Sequence, residues 1–351
     1  MLLRSVDVLV VGAGLSGSMF ARELSRLDPD MDIIMIDRLA DGRFDRYHRI
    51  CGEAVSDRAF KELSMEPRHV RNRIVKAREI WPGDIVIEEK ANGFIIDRPA
   101  FLRSIHDEIR GKVDIEQSSL RSLQRERDAI IAETSSGDIR CSNVIGADGA
   151  FSTVRKNLSS DFPRQTIPVK QFIVDQPSEE GTIEFTYGQR YAGGYSWRFP
   201  CGGMSNVGFP LGCGDLPLNV VEENARFIPI GSVDPLPVSN ALLLGDAAAM
   251  VNPLSFGGIR VAMLSAQKAA QALAKGDTSE YQRWWKGCGF SNESFWNAYQ
   301  VSKVWDDDRM TRFMENFRGG YGLLGLTRAM LKGGEDRMVA KAFMHSFRYG
   351  W

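Results

Sequence analysis

The sequence contains few cysteines and histidines, and none of them is spaced to hold a metal ion. Its 351 residues include four histidines and five cysteines, which are Cys51, Cys141, Cys201, Cys213 and Cys288. The cysteines are scattered and odd in number, and no pair follows the C-x-x-C spacing. Neither a disulfide scaffold nor a structural zinc site is therefore predicted, and we expect no bound metal.

An excess of one charge and a long apolar run are also missing. The chain has 44 Lys and Arg against 45 Asp and Glu, whereas nucleic-acid-binding proteins usually carry a basic excess, so we expect no nucleic-acid partner. No stretch reaches the roughly 18 apolar residues that suggest a transmembrane helix. The N-terminus carries Arg4 and Asp7, and its pattern predicts a strand and a glycine turn rather than a signal peptide. We therefore expect the protein to be located in the cytoplasm.

Changes of pattern along the chain predict an α/β fold with a discontinuous nucleotide-binding domain. A buried strand and helix near the start resemble a second strand and a small-residue helix near residues 241–275. The stretch between them is rich in Gly, Pro and alternating aromatics, which favours an antiparallel sheet. The predicted units are a Rossmann-like domain from 1–159 and 238–277, an inserted antiparallel β substrate lobe at 160–237, and a short helical C-terminal region at 278–351.

A glycine-rich turn follows the first predicted strand. Residues 12–17 read GAGLSG, which is the G-x-G-x-x-G pattern, and a helix is predicted directly after them. Gly12 permits the tight turn, Gly14 lets the backbone approach a pyrophosphate, and Gly17 lets the helix pack close to the strand. The free N–H groups at the start of the helix would then bind the phosphates.

Asp37 ends the second predicted strand, 20 residues beyond Gly17. A carboxylate at that position accepts hydrogen bonds from both hydroxyls of a ribose and repels a 2′-phosphate. Because strand, turn, helix, strand and acid arrive in order, the segment predicts a site for FAD or NAD rather than NADP. The alternative is a structural glycine turn with Asp37 merely solvated.

Two later segments follow strands in the same way. Residues 146–155 read GADGAFSTVR, in which Asp148 begins a turn and Ser152 can cap a helix. Residues 245–259 read GDAAAMVNPLSFGGI, in which Asp246 can accept hydrogen bonds from a polyol and the glycine pair opens a helix toward a phosphate or an electron-rich ring. Without further context, both are also simple turns and helix caps.

The three motifs in this order resemble the glutathione-reductase-like FAD proteins of the hydroxylase type over about residues 1–275. The resemblance implies that the nucleotide-binding domain binds FAD. The cofactor-binding residues it implies are Gly12, Gly14, Ser16, Gly17, Asp37, Asp148, Asp246, Gly258 and Ile259.

Two more segments resemble the geranylgeranyl reductase family, whose marks are a CGE-type loop and a Y-x-W-x-F-P segment followed by a glycine pair. Here residues 50–56 read ICGEAVS and residues 193–200 read GGYSWRFP. The chain departs from the family where it has Gly208-Phe209-Pro210 in place of G-x-G, and where residues 255–258 are bulkier than the usual glycine run. These departures concern the choice of substrate.

The resemblance implies reduction of prenyl carbon–carbon double bonds by hydride from reduced FAD. It also implies backbone contacts from the CGE loop to FAD and contacts from Arg98 to the phosphates or ribityl chain. Cys51 is a candidate proton donor by its place in this loop, and Glu53 and Tyr195 are further proton-relay candidates. Free cysteine is otherwise usually a small buried residue, and Arg98 could simply pair with Asp97 at a helix start. The FAD contacts implied here come from Cys51, Gly52, Ala54, Arg98 and, as a backbone contact on the adenine side, Arg121.

Substrate recognition must rest on apolar burial, because an isolated alkene offers no charge to bind. Each buried CH₂ contributes about 0.8 kcal/mol. Tyr195, Trp197 and Phe199 alternate along a predicted strand, so their side chains should share one face. With the family resemblance we expect them to bind the substrate; the alternative is core packing.

No second G-x-G-x-x-G occurs, so electrons should come from transiently bound NAD(P)H or from a redox protein such as ferredoxin. The aromatic, amphipathic C-terminal helices either contact lipid at a membrane surface or cover the β lobe. The main alternative function is an FAD monooxygenase that hydroxylates an aromatic or apolar small molecule. A flavin halogenase and a non-catalytic FAD electron carrier or prenyl-binding protein also share the nucleotide motifs.

Overall fold

The computed structural model describes residues 3–350. Up to residue 158 the elements are β1 (Arg4–Val11), α1 (Leu15–Leu27), β2 (Ile33–Asp37), α2 (Asp41–Arg49), β3 (Ala54–Ser56), α3 (Asp57–Glu62), β4 (Val70–Trp81), β5 (Ile85–Ile96), α4 (Arg98–Glu108), β6 (Asp114–Gln117), β7 (Leu120–Arg125), β8 (Ile130–Thr134), β9 (Gly137–Gly146) and α5 (Thr153–Leu158). The later elements are β10 (Gln165–Val174), β11 (Thr182–Thr186), β12 (Ser196–Cys201), β13 (Met204–Pro210), β14 (Val220–Ile230), β15 (Ala241–Leu243), α6 (Ile259–Ala274), α7 (Ser279–Gly287), α8 (Glu293–Ser302), α9 (Asp307–Met314), α10 (Leu323–Lys332) and α11 (Gly334–Tyr349). This content confirms the predicted α/β class.

The first sheet has the order β6-β2-β1-β9-β8-β7, and β15 also pairs with β9. The strands β6, β2, β1, β9 and β15 run parallel to one another, whereas β8 is antiparallel to β9 and to β7. Helices α1 and α6 contact each other beside this sheet, and the apolar runs of β1, β2 and β15 are almost fully buried. The carboxyl ends of parallel strands share one edge, which is where ligands bind in such sheets.

The second sheet has the order β14-β10-β13-β12-β11-β4-β5-β3 and is antiparallel except where β11 runs parallel to β4. Three of its strands, β3, β4 and β5, come from residues 54–96, a segment that the sequence analysis assigned to the first domain. They join this sheet because β11 pairs with β4, with Thr182 opposite Lys76 and Thr186 opposite Ile80. The sheet is therefore larger than the predicted lobe at 160–237, and a boundary at residue 160 does not separate the two sheets.

Most of residues 279–349 are helical. From α8 onward, their apolar faces form a core that also includes Ile85 and Ile87 of β5, and Trp305 in this core is less than a tenth exposed. Trp285 of α7 is instead buried in the core of the first sheet. The C-terminal helices thus cover one end of the second sheet, which is the arrangement that the covering alternative describes.

Candidate active site

A cavity of about 940 Å³ is lined by residues from both sheets and from the C-terminal helices. Ligand pockets usually span about 300–1,000 Å³, so it can hold a dinucleotide-sized or long-chain ligand. The loops after β1, β2, β9 and β15 line one part, and the aromatic side chains of the second sheet line another.

The glycine turn has the close packing that its sequence predicts. Gly12 has a φ of 103°, and a Cβ there would lie 2.4 Å from the carbonyl oxygen of Ala147. A Cβ on Gly17 would lie 1.9 Å from the carbonyl oxygen of Gly12, so Gly17 sets the packing of α1 without lining the cavity. Gly14 and Ser16 do line the cavity, which leaves the start of α1 facing it.

Asp37 is bonded to the turn rather than merely solvated. Its Oδ2 accepts a hydrogen bond from the backbone N of Ala13 at 2.8 Å, and its Oδ1 accepts one from Leu39 at 2.8 Å. The carboxylate also lines the cavity. Each oxygen can accept a second hydrogen bond, so the side chain can fix the turn and still accept hydroxyl donors from a ligand.

Asp246 and Asp148 follow β15 and β9 at the same edge of the sheet and also line the cavity. Burial raises the pKa of Asp246, and nearby Arg226 and Arg98 oppose that rise. Asp148 Oδ2 accepts hydrogen bonds from Thr153 and Val154, whereas its buried Oδ1 has no partner. Because a buried acceptor without a partner is costly, this oxygen fits a ligand donor.

Arg98 stabilises the segment before the CGE loop through hydrogen bonds to its backbone. Its guanidinium donates hydrogen bonds to the carbonyl oxygens of His48 and Ile50. Asp97, the partner in the alternative reading, instead caps α4 at Ala100 and pairs with Arg71 at 2.6 Å. Arg98 also lines the cavity, so it can act on a ligand while it positions this loop.

Glu53 is the acid of the CGE loop and a proton-relay candidate from the sequence analysis. It is 1% exposed, lines the cavity and has a left-handed φ of 58°. Its Oε1 accepts a hydrogen bond from the backbone N of Arg98 at 3.1 Å, and Oε2 lies 3.4 Å from Arg71 Nη1. Burial raises the pKa of Glu53 to about 7, against the opposing charges of Arg98 and Arg71. The acid in the CGE motif was the sequence signal for it.

Cys51 is half-buried and lines the cavity beside Gly52 and Ala54. Its carbonyl oxygen accepts a hydrogen bond from Asn206 Nδ2 at 2.8 Å, which joins the CGE loop to β13. A Cβ on Gly52 would lie 2.6 Å from the ring of Phe199. The loop and the aromatic strand are therefore in direct contact.

The side chains of Tyr195, Trp197 and Phe199 all line the cavity and are less than a tenth exposed. Trp197 Nε1 donates a hydrogen bond to Asn206 Oδ1 at 3.0 Å, and the Tyr195 hydroxyl donates one to the carbonyl oxygen of Ser255. The rings share one wall of the cavity, as the alternation predicted. They also belong to a buried apolar cluster, so packing and cavity lining are combined here.

The sequence analysis did not identify three further aromatic residues that extend this wall. Phe185 lies 5.3 Å from Phe199 and 5.1 Å from Tyr195, measured between ring centroids. Tyr187 lies 5.6 Å from Tyr195 and stacks on Trp81 at 3.8 Å. Phe185, Tyr187 and Trp81 come from two strands that meet only through long-range pairing, so local alternation does not reveal the extended wall.

The adenine-side backbone contact expected near Arg121 stays a prediction. The Arg121 side chain is 61% exposed, lies 3.8 Å from Glu133 and does not line the cavity; the neighbouring residues 118–120 line it instead.

His48, which sequence reasoning missed, is buried beside Gly14, and its Nε2 has no partner. Burial, aided by nearby Arg98, lowers the pKa of His48 well below its usual value.

Residues 3–350 contain neither a metal-binding cluster nor a membrane-spanning helix. No cluster of three or more His, Cys, Asp or Glu side chains there could hold a metal ion. No helix in this range combines the length and apolar character needed to cross a membrane.

The chain is similar in sequence to archaeal lipid reductases, although no protein-family model matches it. A digeranylgeranylglycerophospholipid reductase of Methanosphaera stadtmanae, number 1, is 31% identical, and the match covers 77% of this chain and 75% of that protein. A reductase of the same name from Methanocaldococcus jannaschii is 28% identical over 80% of this chain and 82% of that protein.

The fold is shared with solved structures over nearly the whole chain. A geranylgeranyl bacteriochlorophyll reductase-like protein of Thermoplasma acidophilum aligns with a TM-score of 0.78 at 19% identity, and covers 98% of this chain and 99% of its own. The fold comparison agrees with the sequence match to the reductases. Both observations, with the CGE loop and the YSWRFP strand on one cavity, lead to one assignment: the chain belongs to the geranylgeranyl reductase family.

Proposed function

We propose that the protein is an FAD-dependent oxidoreductase that reduces carbon–carbon double bonds of a geranylgeranyl-type chain. The observation that carries this proposal is the contact between Gly52 and Phe199, because it joins the loops expected to hold the flavin to a continuous aromatic wall. A long apolar substrate that follows this wall would bring its double bonds to the CGE loop. The names of the relatives support a prenyl lipid as the substrate class.

The cavity fits FAD on the chemistry of its lining. The start of α1 and the unpartnered Nε2 of His48 face the place where a pyrophosphate would bind. Asp37 suits the adenosine ribose, while Asp148 and Asp246 suit the hydroxyls of the ribityl chain. Cys51, Gly52, Ala54, Gly258 and Ile259 would surround the ring. We therefore assign FAD binding to the first sheet with its loops, and substrate binding to the second sheet.

When bound and reduced, FAD supplies the hydride for such a reaction, and the protein supplies position and a dry environment. Tyr195, Trp197 and Phe199 would hold the alkene by apolar burial and keep water away from it. A proton must also reach the second alkene carbon. The Cys51 thiol is our candidate donor, and Glu53 is positioned to replenish protons because its pKa lies near neutrality.

The direct test is to incubate the FAD-loaded, dithionite-reduced protein anaerobically with geranylgeraniol and to weigh the product. We expect a gain of about two mass units for each reduced alkene and oxidation of the flavin, as hydride and proton addition require. An unchanged product mass with flavin that remains reduced would refute the proposal.

The partners follow from the same proposal. The reductant is NAD(P)H or a ferredoxin-like protein, and the substrate is an isoprenoid lipid. We also propose peripheral contact with the cytoplasmic face of a membrane, because α10 exposes Leu323, Leu324 and Leu331 beside Lys332. Such a pattern of apolar and basic residues suits a lipid surface. Association with anionic vesicles, and its loss in a variant with Leu323 and Leu324 changed to Ser, would test this contact.

A monooxygenase is the second candidate, because the fold is also that of a p-nitrophenol 4-monooxygenase from Pseudomonas putida. That structure aligns with a TM-score of 0.66 at 14% identity and covers 97% of this chain. Substrate-stimulated oxygen uptake with a hydroxylated product would favour it over the reductase.

A further inference from the structure

A carboxylate interrupts the aromatic wall at the end that lies away from the CGE loop. Ala77, Glu79 and Trp81 are alternate residues of β4, and all three line the cavity. Lys76 and Arg78, which flank Ala77, face the other side of the sheet, because successive side chains alternate. There they pair with Glu88 of β5 and with Glu179, which precedes β11. Neither of these two basic side chains therefore neutralises Glu79.

Only one of the two carboxylate oxygens of Glu79 accepts hydrogen bonds from the protein. Its Oε2 accepts hydrogen bonds from Trp81 Nε1 at 3.0 Å and from the Tyr321 hydroxyl. Within residues 3–350, its Oε1 has no hydrogen-bond partner. The Trp81 indole is itself fixed by stacking on Tyr187, with an interplanar angle of 4°. The carboxylate is thus oriented before any ligand arrives and keeps a free acceptor beside aromatic faces.

This end of the cavity opens to solvent. Glu89 and Phe347 line the cavity and are both exposed. Glu89 lies on the neighbouring strand opposite Ala77, and its Oε1 accepts a hydrogen bond from the backbone N of Tyr321 at 2.9 Å. The polar end of a chain threaded along the aromatic wall would therefore meet two carboxylates where it leaves the protein.

Cations in the cavity lining are associated with other residues. Arg38 and Arg226 flank Tyr47, while Arg98 binds the segment before the CGE loop. Arg260 pairs with Glu62 at the start of α6. An anionic group at Glu79 would therefore meet like charge, whereas a hydroxyl or an ammonium could donate to Oε1.

We propose that Glu79, Trp81 and Tyr321 form a subsite that binds a hydrogen-bond-donating polar end of the prenyl substrate and rejects a chain that ends in diphosphate. The donor is a hydroxyl or an ammonium group. This proposal rests on the proposed function only in taking the substrate to be a prenyl chain. Discrimination by repulsion is a common way to achieve specificity.

Equilibrium binding to the FAD-loaded, oxidised protein tests the subsite without turnover. The probes are geranylgeraniol, geranylgeranylamine and geranylgeranyl diphosphate, which share one chain and differ at the polar end. We expect the wild type to bind the alcohol or the amine at least tenfold more tightly than the diphosphate. The tighter of the two identifies whether the site prefers a hydroxyl or an ammonium.

Glu79→Gln should reduce this preference at least fivefold, mainly through tighter diphosphate binding. Tyr321→Phe removes a hydrogen bond but keeps the charge, so it should still reject diphosphate. Glu180→Gln is the matched control, because Glu180 is exposed and does not line the cavity; its preference should equal that of the wild type.

The outcomes separate the two proposals. A wild type that binds diphosphate as tightly as the alcohol and the amine overturns the subsite, even if Glu79→Gln fails to fold. An unchanged preference in folded Glu79→Gln also overturns it. The expected preference without alkene reduction supports the subsite and refutes the proposed function. Failure to bind any of the three probes contradicts both.

Discussion

Trp197 lies over Gly208, its partner across the β12–β13 pair, in the space that a side chain at residue 208 would occupy. A Cβ on Gly208 would be 2.0 Å from Trp197 Cζ2 and 2.6 Å from the carbonyl oxygen of Lys170. Gly208, the first residue of the Gly208-Phe209-Pro210 segment that stands in place of the family's G-x-G, thus has a packing role. It lets the indole lie against the sheet and leaves room in the cavity.

Gly208→Ala should therefore displace the indole. Overpacking of this kind typically costs about 1–3 kcal/mol, so we expect a lower free energy of unfolding and a raised KM for the prenyl substrate. Denaturant titration and steady-state kinetics measure the two effects. Gly42→Ala is the control, because a Cβ there would meet nothing within 4 Å. Equal stability and KM in the two variants would show that the indole accommodates the methyl group.

Asp246→Asn tests the polyol contact. A hydrogen bond to a charged acceptor contributes roughly 1.5–3 kcal/mol, so we expect the Kd for FAD to rise at least tenfold. Fluorescence quenching of FAD by the apoprotein measures it. Asp138→Asn, at an exposed position on β9, should leave the Kd unchanged. A similar Kd for Asp246→Asn and the wild type would remove Asp246 from the cofactor site.

The turn and the acids of the first sheet could be predicted because each is encoded within a few residues. Gly12, Gly17 and Asp37 interact with one another through a single β–turn–α–β unit. The membership of β4 in the second sheet could not be predicted from the sequence. Its partner β11 lies about a hundred residues further along the chain, and pairing at that distance leaves no local signal. The position of Glu79 in the cavity depends on the same pairing and was not predicted for the same reason.

Glu53 should make stability depend on pH. Its carboxyl ionises at about 4.5 when unfolded but at about 7 when folded, so the folded state binds the extra proton between these values. Stability from this group is therefore present below pH 4.5 and is lost as the pH rises to about 7, by an amount on the order of 3 kcal/mol.

Unfolding titrations at pH 5 and pH 8 measure this loss. The difference between the two free energies of unfolding should be smaller in Glu53→Gln than in the wild type, whereas Glu180→Gln should keep the wild-type difference. An identical pH dependence in the wild type and Glu53→Gln would place the pKa of Glu53 near its ordinary value.

Cys51 is the residue whose chemical role can be separated most cleanly from packing. Positioned acids accelerate proton transfer by about 10²–10⁴-fold, so Cys51→Ala should slow oxidation of the reduced flavin by geranylgeraniol at least a hundredfold. FAD affinity should stay within about twofold, because the contacts expected from Cys51 to FAD are through its backbone. Cys213→Ala is the matched control, since that half-buried thiol lies outside the cavity lining. Stopped-flow traces under anaerobic conditions give the rate. If Cys51→Ala retains the wild-type rate, the thiol only fills space and the proton must come from another group, with Glu53 the nearest candidate that titrates near neutrality.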